Sequence, residues 1–216
     1  VTAEPHNAAT NRAEGKEPTL KRGDATALWV FVGAGIAIAG FTLVASTLRI
    51  IELLGNNQVP VPAVFTGTIA QAPIGPDGAP IDVRLDRAIL TVPSLPVASV
   101  GAGILEAVIT ALATIAVVTL LTVLCRRLMR GQIFSRQNTR IVAAAGITWV
   151  GAAALAPFFG NMVANGGFAR LSNRTFDNAL MSLDLSTLIA GAFAAAFVAS
   201  VFAVGDRFRR ETEGLV

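Results

Sequence analysis

The chain has 216 residues, 53% of them hydrophobic and only 14% charged, with a mean hydropathy of +0.63. An average soluble domain carries roughly 25% charged residues, so this composition cannot clothe a soluble globule, and it is too apolar for a disordered chain. An integral membrane protein is what remains. A single Cys excludes a disulfide framework or a CxxC redox centre, and a single His, His6, excludes a His-ligated metal or haem within the membrane; no cofactor is expected.

Residues 1–24 are polar, with Pro5, Pro18 and many Ala, Asn and Glu residues, and read as a disordered tail. The initial Val suggests an alternative GTG start codon, hence a bacterial gene. Ala27–Thr47 then runs 21 residues without a charge. Crossing a hydrocarbon core of about 30 Å takes roughly 20 apolar residues as helix, so this run suffices. It is also longer than the roughly 7–15 residues of a signal-peptide apolar region, so a retained span is expected although Lys21 and Arg22 precede it. Residues 25–216 are read as one all-α transmembrane domain, a four-helix bundle with spans at about 27–48, 101–125, 141–160 and 184–204. The second span can begin as early as Val97, and the third carries Pro157 near its end.

The connection at 50–96 holds seven of the ten prolines and is too long for a plain connector. Val64–Ala70 is rich in β-branched residues, and Ile81–Asp86 alternates apolar and charged side chains. Between them Gly75-Pro76-Asp77-Gly78 is a turn: Pro sets φ, Asp bonds its own backbone, and Gly accepts positive φ. A β-hairpin outside the membrane is expected. Its Ile81/Val83/Leu85 face needs a partner: the rim of the helices, another protein, or a ligand beneath a lid.

The short second loop contains Arg126, Arg127, Arg130, Arg136 and Arg140 around Ile133 and Phe134, and no acid. Such a segment suits the headgroup boundary, the ring dipping and the guanidiniums meeting phosphate, either as a topology anchor or as a specific lipid or partner site. Ser135 is placed to cap the third helix. Residues 160–183, polar and containing Gly166-Gly167, read as a second loop on the hairpin side, and Asp206–Val216 continues the fourth helix into water.

Charge sets the direction. The tail, the Arg-rich loop and the C-terminus carry twelve basic and seven acidic residues (+5); the hairpin side carries five and seven (−2). Excess Lys and Arg mark the cytoplasmic face, so both termini are expected in the cytoplasm and the hairpin outside. The sequence pI near 10.0 therefore reflects topology, and no folded basic surface points to nucleic acid.

Two stretches carry a resemblance. Leu124–Gly146 reads LCRRLMRGQIFSRQNTRIVAAAG, and the chain ends RRETEGLV. Gly131, Phe134, Ser135 and Asn138 match a G-x-[PI]-F-[ST]-x-x-N loop, with Ile133 where Pro is common, and Glu211, Glu213, Gly214 and Val216 match an acidic E-x-E-G-x-V ending. Together they resemble a bacterial family of small four-helix membrane proteins of unknown function. The resemblance implies the fold and a membrane location, and supplies no catalytic residues. Its members often lie beside a helix-turn-helix regulator gene.

Only Glu106 and Asp184 are ionisable groups within the expected spans, and an intramembrane acid is a functional candidate. Both are expected in the first turn of a helix starting on the hairpin side, where the dipole favours a carboxylate by about 0.3–1 kcal/mol. Capping, with Arg49, Arg170 or Arg174 as counter-ion, competes with an ion or proton site. Thr110, Thr114, Thr119 and Thr122 form a stripe for interhelical bonds or a polar path. Gly33/Ala37, Gly35/Ala39 and the Gly191, Ala195, Ala199, Ala203 series offer small-residue faces for packing or self-association. HExxH, GxSxG and phosphate-loop patterns are missing from the sequence. The expected function is non-enzymatic: a regulatory or accessory membrane component acting through protein contacts, with a small transporter or channel subunit as the alternative.

Overall fold

The computed structural model describes residues 22–132, 134–176 and 182–213; the expected tail lies almost wholly outside them, as does Ile133. The uncharged runs form four helices, α1 Arg22–Gly55, α2 Val97–Met129, α3 Arg136–Leu171 and α4 Leu185–Glu213. All four are long and apolar enough to cross a membrane. With 29 to 36 residues each, they extend about 44–54 Å, well beyond a core of about 30 Å. They outrun the expected spans because a helix satisfies its own backbone and needs no apolar side chains to continue past the core.

The helices form an open row. α1 packs on α2, α2 on α3, and α3 on α4, each pair antiparallel in sequence order. Among the described residues α1 and α4 share no extensive interface, so the expected bundle is not closed.

The third helix corrects the reading of 160–183 as loop, for it runs on to Leu171. Gly166 and Gly167 are points of close approach, not breakers. A Cβ at Gly166 would overlap the Ser99 hydroxyl, and one at Gly167 would press on Val92. The turn comes later, where Asn173 and Arg174 take positive φ (52° and 67°) and the Arg174 N–H closes on the Ala169 carbonyl at 3.0 Å.

The hairpin is present and longer than expected: β1 Val59–Ala72 pairs antiparallel with β2 Ile81–Val92. Pro60 and Pro62 obscured the start of β1. In a two-stranded sheet each strand has an unpaired edge, where a missing N–H costs no ladder bond. The register slips by two residues between Val64/Arg87 and Thr68/Leu85, and Gly67 takes φ 78° within this bulge.

The buried face also differs from expectation. Ile81 is exposed and Val83 and Leu85 are only half-buried. The core sits at the hairpin's base, where Val59, Val61 and Ala63 alternate inward and meet Val92, Leu53, Leu95, Val163 and Phe168. Phe65 continues the inward alternation onto this core: its ring lies 5.1 Å from Phe168, edge to face, and Phe176 completes the trio. The Asn56 side chain locks the end of α1 to the strand exit, accepting from Leu95 N–H at 2.7 Å and donating to its carbonyl at 3.1 Å.

Candidate functional site

Where the hairpin packs on α3, a cavity of about 820 Å³ lies between them and Glu106 of α2. Glu106 and Asp184 both line it, with Arg49, Arg87, Asn161 and Ser182. The two acids occupy different positions in it. With α2 starting at Val97, Glu106 is the tenth helical residue, about 13 Å from the helix start, so the expectation that it caps the first turn is corrected. Its half-buried carboxylate receives no hydrogen bond from the described residues. Space for it comes from Gly160, where a Cβ would stand 2.8 Å from Glu106 Oε1. The Arg49 charge reaches Glu106, but the Arg49 guanidinium is already bonded to Glu52 and, at 2.9 Å, to the Pro60 carbonyl.

Asp184 caps α4. Its Oδ1 accepts from the Thr187 N–H at 3.1 Å and from the Ser186 hydroxyl at 2.6 Å, and its Oδ2 accepts from the Thr187 hydroxyl at 2.6 Å. These donors, the Ser186 hydroxyl first, hold its carboxyl down at about 2, so it is ionised at neutral pH. On the facing wall Asn161 and Ser182 satisfy one another: the Ser182 hydroxyl donates to Asn161 Oδ1 at 3.0 Å and Asn161 Nδ2 to the Ser182 carbonyl at 3.1 Å. Among the described residues no three His, Cys, Asp or Glu side chains gather as a metal centre requires.

Below the cavity an apolar groove of about 590 Å³ follows α2 between α1 and α3. Pro157 lines both spaces; it has no N–H, so Ala153 lacks its usual helical donor. Three of the four Thr hydroxyls of the stripe turn back on their own helix instead of bonding across to another. The hydroxyls of Thr110, Thr114 and Thr119 donate to the carbonyls four residues back, at 2.8, 2.8 and 2.7 Å.

At the other end of the helices the Arg-rich turn is built around Asn138. Gly131, at φ 77°, ends α2: its N–H bonds the Leu128 carbonyl and the Gln132 N–H the Arg127 carbonyl, both at 3.0 Å. Ser135 caps α3, accepting from the Asn138 N–H at 3.2 Å. Asn138 is fully buried; its Oδ1 accepts from Arg127 Nε at 2.7 Å and its Nδ2 donates to the Gln132 carbonyl. Phe134 corrects the headgroup reading, since its half-buried ring packs 6.2 Å from Phe202 and against Gly205 of α4. Arg127 likewise turns inward, while Arg126, Arg130, Arg136 and Arg140 remain exposed around the turn. The loop motif is thus a structural lock joining α2, α3 and α4.

Three members of the small-residue series of α4 serve the same end, while Ala203 stays exposed. A Cβ at Gly191 would overlap the Trp149 ring, Ala195 meets Gly146, and Ala199 joins the cluster around Leu124 and Val142. Gly35 faces Val118 of α2, whereas Gly33 and Ala37 stay exposed. Arg87, Asn161, Ser182 and Gly160 were not singled out in the sequence; the one available signal was a glycine in an otherwise bulky Pro157–Met162 segment. No protein-family model, curated protein or solved structure matches the chain.

Proposed function

We propose that this chain is a multi-pass component of the bacterial plasma membrane, without enzyme activity, that acts through contacts with another membrane protein as an accessory or regulatory subunit. Both termini and the Arg-rich turn face the cytoplasm and the hairpin faces outward, as the +5 and −2 charge balance of the two sides supports. The loop from Gly131 to Asn138 supports membership of the small four-helix family it resembles. The observation that carries the reading is the open row. Among the described residues α4 has α3 as its one extensive helix neighbour, and the flank bearing Ile189, Phe193 and Phe197 is exposed at 61%, 73% and 61%. An internal polar route favouring a transporter would have to continue below Pro157, where the groove is apolar.

A photo-crosslinking amino acid at Phe197 in living cells should yield one discrete protein adduct; the same residue at Ala195, which faces α3, should crosslink within the chain. Lipid adducts alone at Phe197 would end the accessory-subunit reading. Orientation is tested separately. In a Cys125→Ala background, cysteines at Gly78 and Asn173 should react with an impermeant maleimide in intact cells, and one at Gln132 only after lysis. Labelling of Gln132 in intact cells would reverse the topology.

A further inference from the structure

The cavity and the groove share Pro157 and a single face of α2, on which Glu106, Thr110, Ala113, Thr114 and Val117 follow one another at helical spacing. A charged chamber therefore adjoins an apolar trough at Pro157. The dimensions of each, about 820 and 590 Å³, fall within the roughly 300–1,000 Å³ of sites that hold small molecules. The trough offers a water-soluble ligand little: of its described lining only Thr110, Thr114, Thr122 and Trp149 carry polar side-chain atoms, and the Thr110 and Thr114 hydroxyls donate to their own helix.

Among the described residues the Glu106 carboxylate and the Arg87 guanidinium of the chamber make no hydrogen bond or salt bridge; Arg49 attracts Glu106 from a distance, and Arg87 sits at an exposed position. The other charged or polar side chains among its described residues are committed: Arg49 to Glu52 and Pro60, Asp184 to the start of α4, Asn161 to Ser182. A ligand that satisfies both must carry a cation and an anion at one end and an apolar chain at the other. Among the described residues no aromatic side chain lines the chamber, so they offer none of the ring faces by which a quaternary ammonium is recognised. A primary ammonium, which donates hydrogen bonds to a carboxylate, fits instead.

We propose that cavity and groove together form a binding site for one aminophospholipid of the leaflet on the hairpin side, its ammonium on Glu106, its phosphate on Arg87 and an acyl chain along α2 between α1 and α3. The hairpin is then the roof over the headgroup. Entry is lateral, between α1 and α3, and needs no movement of the hairpin's buried base.

The test is native mass spectrometry and thermal unfolding of the full chain in mild detergent, with added phosphatidylethanolamine, phosphatidylcholine or phosphatidylglycerol of equal chain length. The intact protein should retain phosphatidylethanolamine in preference to the other two and gain thermal stability from it. Glu106→Gln should lower that retention about tenfold or more, the scale of one charge-assisted hydrogen bond. Arg87→Gln, at an exposed hairpin position, should lower it in the same direction without altering the fold. Soluble phosphoethanolamine, which lacks the chain, should not protect at the same concentration. Equal retention of all three lipids, retention unchanged in both variants, or protection by phosphoethanolamine alone would each overturn the site.

Discussion

Asn138→Ala should destabilise the protein by about 2–4 kcal/mol, although it removes only a small polar side chain. Asn138 is fully buried and joins Arg127 of α2 to the Gln132 carbonyl of the turn. Alanine leaves the guanidinium N–H and the carbonyl without partners, and each unsatisfied group costs about 1–3 kcal/mol, more where a charge is involved. Asp is not a rescue. It can accept from Arg127 but cannot donate to Gln132, and it turns a second pair of lone pairs toward that carbonyl. Denaturant or SDS titration of the purified protein measures the loss. Trypsin should then cut first at Arg127 or Arg130, because the lock they belong to has opened. A loss under 0.5 kcal/mol, about that of an ordinary surface change, would mean the turn is held by the Gly131 closure alone.

Phe168→Ala should cost about 3–5 kcal/mol, the range for truncating a buried aromatic ring. Its ring is 6% exposed and sits where the hairpin base, α2 and α3 meet, touching Phe65 and Phe176. The damage should be local to the hairpin end. Amide exchange should rise across Val59–Val64 and Ile89–Val92 while the turn end around Asn138 keeps its protection. Phe65→Leu, which keeps most of the apolar volume, should cost less than 1.5 kcal/mol. If exchange rises equally at both ends, the hairpin and the helices unfold as one unit and the two clusters are not independent.

Composition and uncharged run length determined, without any structure, that four long helices exist and that a hairpin interrupts the first two. Those properties are local: a backbone without charges over 20 residues closes its own hydrogen bonds, and Gly75–Gly78 turns by its own φ angles. Helix ends were legible where a chemical cap marks them, as at Ser135 and Asp184. They were misread where glycine serves contact: Gly160, Gly166 and Gly167 lie inside α3 because Glu106, Ser99 and the hairpin come close there. Tertiary structure alone decided which face of the hairpin is buried. The alternation in β2 pointed to Ile81–Leu85, but the bulge near Gly67 and the position of α3 bring the other end, Val59–Ala63, into the core. It also separated the two candidate acids. Asp184 finds its donors within three residues, which a sequence can reveal, whereas the surroundings of Glu106 are set by α1, α3 and the hairpin, 57 residues before it on the chain at Arg49 and 54 after it at Gly160. Only folding brings such distant groups together, so neither the chamber nor the groove below it could be read from spacing.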